Sequence, residues 1–140
     1  MRCLWLTRQL PLPANSGELI YTRGLIESLA KTVDVTVLTY DPPVPSTETL
    51  SRNVGQLSAG SVPSHGLGSY FSSLPRDAFR LRQESLLTKL HRALEGGSYD
   101  AVVIDHASLG WAVDTIGELN LTRRPALVYV SHNQEAKIRP

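Results

Sequence analysis

Three short polar segments of this 140-residue chain carry side chains able to do chemistry, and each follows an apolar run. Asp105-His106-Ala107-Ser108 comes directly after Val102-Val103-Ile104, and Ser131-His132-Asn133-Gln134-Glu135 directly after Val128-Tyr129-Val130. Asn15-Ser16-Gly17 lies a few residues beyond Leu4-Trp5-Leu6-Thr7. An imidazole at the end of a strand, as at His106, can donate to a ligand hydroxyl or accept a proton. Held by backbone groups in a strand-to-helix turn, the same residue would be merely structural. His132, Asn133 and Glu135 form the densest polar cluster and supply the mixture of donors and acceptors that sugar hydroxyls require. The competing reading makes Asn133 a helix N-cap and Glu135 a favourable charge in the first turn. Asp105 is expected to cap the helix that follows it. Ser16-Gly17 opens a helix, where free backbone N–H groups and the helix dipole favour a phosphate or diphosphate; a plain turn and N-cap is the alternative.

Other chemistries find less support. His106, His132, Asp105 and Glu135 show no local ligand spacing such as H-E-x-x-H, so no metal is expected. Neither G-x-G-x-x-G nor G-x-x-x-x-G-K-[ST] occurs, which argues against a small nucleotide-binding enzyme. Fourteen basic residues stand against 13 acidic ones, a balance that gives no reason to expect nucleic acid as a partner. Cys3 is the sole cysteine and sits in an apolar run, so it is expected to be inert core packing, with a reducing, cytoplasmic setting as the default. Arg76, Arg80 and Arg82 read as a solvated helix face. Cys3-Leu4-Trp5-Leu6 is too short for a signal-peptide core, and no run approaches the roughly 20 apolar residues of a membrane span. Peripheral contact is the most a membrane is expected to offer.

The elements that must hold these segments follow from periodicity. Leu4–Thr7 reads as a buried strand, and from Glu18 the residues Thr22, Leu25, Ile26, Leu29 and Val33 fall on one helical face, with Asn15 or Ser16 as N-cap. Val33–Thr39 is a β-branched strand, which completes a βαβ unit with parallel strands. Residues 41–74 are rich in Pro, Ser and Gly, with one weak strand around Gln56–Val62. Pro75 opens a single amphipathic helix carrying Phe79, Leu86, Leu87, Leu90 and Leu94, which Gly96-Gly97 ends in a left-handed cap. Ala101–Ile104 is a strand with no polar alternation, as in a parallel sheet covered on both faces. Leu109, Ala112, Val113 and Ile116 mark a further helix, and Ala126–Val130 the last strand. The order predicts an α/β fold with a Rossmann-like, doubly wound, mostly parallel sheet, in which ligands bind beyond the carboxyl ends of the strands. The pattern stops at Pro140, just where Glu135-Ala136-Lys137-Ile138 would begin another helix, so the sequence reads as a truncated domain.

Four segments, taken in order, resemble glycosyltransferase family 4. They are the Leu4–Thr7 strand with Pro11–Gly17, the stretch Leu25–Lys31 followed by Val35–Thr39, the segment Tyr99–His106, and Ser131–Glu135. The resemblance implies that residues 1–140 form the N-terminal, acceptor-side half of a GT-B fold. Such an enzyme transfers a sugar, with retention, from a nucleotide-sugar donor to a glycan or lipid-linked acceptor, without a metal cofactor. It further implies that Ser16 and Gly17 approach the donor diphosphate, that His106 faces the reacting sugar as the catalytic residue, and that His132, Asn133 and Glu135 line the cleft. The family's nucleotide-sugar-binding C-terminal domain has no counterpart in this sequence, so the isolated chain is expected to be inactive. A non-catalytic α/β binding or partner-docking module is the alternative.

Overall fold

The structure is a computed structural model that describes residues 1–41, 47–62 and 72–132. Five strands, β1 (Arg2–Thr7), β2 (Asp34–Thr39), β3 (Val54–Ser58), β4 (Ala101–Asp105) and β5 (Ala126–Val130), form one sheet in the order β3-β2-β1-β4-β5. Every pairing is parallel, with Cys3 opposite both Val35 and Ala101, and Ala101 opposite Ala126. The expected Rossmann-like α/β architecture is therefore present. β1 lies at the centre, and the run Cys3–Thr7 is buried throughout, which is why it shows no polar alternation.

The two faces of β1 explain how the helices are divided. Leu4 and Leu6, with Leu38, Val102 and Ile104 beside them, point to a cluster completed by Leu86, Leu90 and Leu94 and by Trp111, Ala112 and Ile116. Cys3 and Trp5, with Val35, Val37, Ala101 and Val103, point the other way, onto Ile26 and Ala30. Helix α1 (Gly17–Leu29) covers the second face, and α2 (Arg76–Leu81), α3 (Glu84–Gly96) and α4 (Ala112–Glu118) lie with the first. Ser16 caps α1, its Oγ accepting from the Leu19 N–H at 3.4 Å. Of the face read from sequence, Thr22 and Ile26 are buried together with Leu19.

Several expectations need correction. The single helix from Pro75 is two, because Arg82 leaves helical geometry at φ −84°, ψ 71° between α2 and α3. Pro75 is the residue before α2 rather than its first helical residue. Gly97 ends α3 with extended backbone at φ −123°, not in a left-handed cap. What requires glycine there is proximity: a Cβ would come within 2.6 Å of the Ala93 carbonyl oxygen and 2.7 Å of the Tyr99 ring. The weak strand is real but sits earlier, at Val54–Ser58. Val113 is exposed, so the α4 stripe is narrower than its sequence suggests. β5 is exposed from Ala126 to Tyr129 despite its apolar residues. Asn133 and the helix expected over Glu135–Ile138 lie outside the described residues.

Candidate functional site

Strand order reverses between β1 and β4: the chain runs outward through β2 and β3 on one side and through β5 on the other. In an open parallel sheet the crevice for a ligand lies at such a reversal, beyond the carboxyl ends of the strands. Thr7 and Asp105 are register partners at that end. Just past them, a cavity of about 970 Å³ is walled by Arg8, by Leu74 to Ala78 at the start of α2, and by His106, Ala107, Ser108, Gly110 and Trp111. A space of this size fits a small organic ligand.

His106 occupies the turn out of β4, where its backbone is held at φ 106°, ψ 139°. It is the one non-glycine residue with positive φ among those described. A side chain here costs about 1–3 kcal/mol, tolerated only where the surroundings over-determine it. Those surroundings are identifiable. The His106 N–H donates to the Val130 carbonyl at 3.2 Å, extending the β4–β5 ladder. Its Nδ1 accepts from the Ser108 N–H at 3.2 Å and lies 2.8 Å from the Ser108 hydroxyl. A backbone N–H can only donate, so Nδ1 bears the lone pair and the neutral ring carries its hydrogen on Nε2. His106 is thus both backbone-held and on the cavity wall.

Asp105 is not a helix cap. It is 1% exposed, with Oδ2 accepting from Trp5 Nε1 at 3.0 Å and from Thr22 Oγ1 at 2.9 Å. Its Oδ1 pairs with Nε2 of His132. A carboxylate this deep needs all of those donors to offset its lost hydration. Capping of the following 3-10 turn (Ala107–Leu109) falls to His106 instead. The His132 ring lies near that of His106, with centroids 6.2 Å apart and planes inclined by 29°, and packs edge-on to Tyr21 at 5.6 Å.

Ser16 and Gly17 sit apart from the cavity wall, exposed at the start of α1, and a Cβ on Gly17 would meet nothing within 4 Å. Arg8 joins the two regions by an ion pair with Glu18 at 2.5 Å. The structure therefore brings His106 and His132 together and leaves Ser16 and Gly17 to one side; Asn133 and Glu135 lie outside the described residues. Arg8, Trp111 and Arg76 are wall residues that the sequence does not single out, and Arg76 is exposed as well, as a solvated face requires. Arg8 could have been found from its place directly after β1; nothing local in sequence marks Trp111. Among the described residues no group of three or more His, Cys, Asp or Glu side chains could hold a metal ion. Burial pushes the Cys3 thiol up to about 11, offset in part by the Val103 backbone, so Cys3 is core rather than nucleophile. Among the described residues no helix is long and apolar enough to cross a membrane.

The sheet order and the crevice at its reversal define a Rossmann-like α/β domain. No model of a known protein family matches the chain, and no curated protein matches it. Among solved structures it is similar to a sucrose-phosphate synthase from Thermosynechococcus elongatus, with a TM-score of 0.54 and 19% identity. The match covers 95% of this chain and 33% of that one, so this chain spans about a third of the length of that protein. At this identity the likeness is one of fold.

Proposed function

We propose that the chain is the acceptor-side Rossmann-like domain of a GT-B glycosyltransferase that moves a sugar from a nucleotide-sugar donor to a glycan or lipid-linked acceptor. One observation carries the reading: His106 is held in a strained conformation at the strand-order reversal, with its Nε2–H as donor, on the wall of a 970 Å³ cavity. Residues held in such conformations cluster at active sites and ligand clamps. The four sequence segments and the fold likeness to an enzyme named for making a phosphorylated disaccharide support the same view. In this reading His106 donates to an oxygen of the reacting sugar. Ser16 and Gly17 face the donor diphosphate, and His132, Asn133 and Glu135 support the cleft. Phosphate charge is neutralised by a second, donor-binding half. The chain alone is then inactive, and turnover needs the polypeptide that joins both halves. In that polypeptide His106→Ala should lower turnover about 100-fold or more, the usual scale for a lost acid–base or donor group. Near-normal turnover in a folded variant would overturn the assignment.

A docking module is the second reading, and exposed β5 favours it. Leu127, Val128 and Tyr129 are 43%, 46% and 53% exposed, although a parallel strand normally has both faces covered.

A further inference from the structure

Two imidazoles side by side need not present the same chemistry, and here their partners set them in opposite senses. His106 accepts the Ser108 N–H at Nδ1, so its Nε2 is the donor. His132 faces a carboxylate, Asp105, through Nε2, and a carboxylate only accepts. Nε2 of His132 therefore carries the hydrogen, and in the neutral ring Nδ1 holds the lone pair. We propose that Asp105 is a positioning residue: it fixes His132 as an Nδ1 acceptor beside the Nε2 donor of His106, and the pair receives hydroxyl groups of a neutral carbohydrate. One hydroxyl donates to His132 and a neighbouring oxygen accepts from His106. A sugar presents that combination, because each of its hydroxyls is both donor and acceptor.

The carboxylate is suited to this task by what else it holds. Trp5 Nε1 and Thr22 Oγ1 occupy Oδ2, leaving Oδ1 for His132. The indole can only donate, so the side of residue 105 that faces Trp5 must remain an acceptor. In Asp105→Asn the amide oxygen would accordingly turn to Trp5 and Thr22, and the NH₂ would face His132. His132 could then pair only by accepting at Nε2, with its hydrogen moved to Nδ1. The substitution inverts the polarity of His132 at nearly constant shape. The recognition of sugar rests on the proposed function, whereas the polarity of His132 rests on hydrogen bonds alone.

The test uses the 140-residue chain and ¹⁵N–¹H correlation spectra of its histidine side chains, recorded with imidazoles neutral. The expected result is an Nε2–H ring for both His106 and His132, with Asp105→Asn switching His132 alone to Nδ1–H. Thr22→Val, which removes a donor from the same carboxylate without touching His132, should leave both tautomers as they are. An unchanged His132 in Asp105→Asn, or a switch in Thr22→Val, would overturn the positioning role. Glucose, mannose and galactose are then titrated at high millimolar concentration. At least one should move the His106 and His132 ring signals of the native chain, and in Asp105→Asn the His132 response should change in character, its Nδ1–H now donating to the hydroxyl. No response to any of the three, or an equal response in Asp105→Asn, would overturn the carbohydrate assignment. None of these readouts requires turnover, so they separate this inference from the failure of the transferase reading, which the His106→Ala assay addresses.

Discussion

Replacing Asp105 with alanine measures how much the chain depends on one buried carboxylate. Trp5 Nε1 at 3.0 Å and Thr22 Oγ1 at 2.9 Å would lose their acceptor, and Thr22 and Trp5 are only 2% and 3% exposed. Each stranded buried donor costs about 1–3 kcal/mol. His132, whose side chain is 7% exposed, loses its partner too. Against this, the carboxylate no longer has to be desolvated, and water can enter the space it leaves. Breaking a buried pair by removing one member nets about 3–5 kcal/mol. A domain of this size has about 5–15 kcal/mol to lose, so the variant should be folded but much weakened. Urea unfolding followed by tryptophan fluorescence should place its midpoint about 2 M lower, taking a slope of about 2 kcal/mol per molar. Thr22→Val, which deletes a single donor and keeps the carboxylate, should cost only about 1 kcal/mol. If Asp105→Ala falls within about 1 kcal/mol of the native chain at unchanged slope, the network contributes little and the reasoning fails.

Three further outcomes follow from the same geometry. At position 106 glycine should be more stable than alanine by about 1–3 kcal/mol, since only glycine adopts φ 106°, ψ 139° without strain; equal melting temperatures would contradict that. Gly97→Ala should destabilise by about 1–3 kcal/mol, because its Cβ meets the Ala93 carbonyl and the Tyr99 ring, whereas Gly96→Ala, with open space around it, should be neutral or slightly stabilising. The ranking is read directly from two urea midpoints. The Cys3 thiol, raised by burial from 9.0 to about 11, keeps its proton more tightly when folded. Its contribution is therefore complete below pH 9.0 and is lost as pH rises through about 11, amounting to about 3 kcal/mol at most. Cys3→Ala should flatten the alkaline fall in stability, and an unchanged fall would refute the assignment.

The layout of the sheet was legible because burial on both faces leaves a local mark. Cys3–Thr7, Val35–Thr39 and Ala101–Ile104 are apolar or β-branched runs, and a parallel sheet reads in that way. His106 was legible as a strand-end residue for the same reason. The role of Asp105 was not, because Trp5 and Thr22 lie 100 and 83 residues away along the chain and meet it only once β1, β4 and α1 have packed together. Local pattern favours a helix cap at that position, and tertiary packing overrides it. The break at Arg82 leaves no mark in the sequence, since Phe79, Leu86 and Leu90 keep helical spacing across it. Gly97 signalled correctly that glycine was needed but not why: a close approach and a positive φ look identical in sequence.

The central place of β1 also has a consequence for how the protein is made. β1 leaves the ribosome before the other four strands described, yet one of its two neighbours, β4, pairs Cys3 with Ala101. At about 5–20 residues per second, that partner arrives some 5–20 seconds after the first strand is complete. Until then the β1 edge that will pair with β4 stays open, and Leu4, Trp5 and Leu6, buried almost completely in the finished sheet, have for cover only the elements made before residue 101. An open strand edge and bare apolar residues are what chaperones bind and what nascent chains aggregate through. Slowing translation between residues 39 and 101 should therefore lower the soluble yield of this chain.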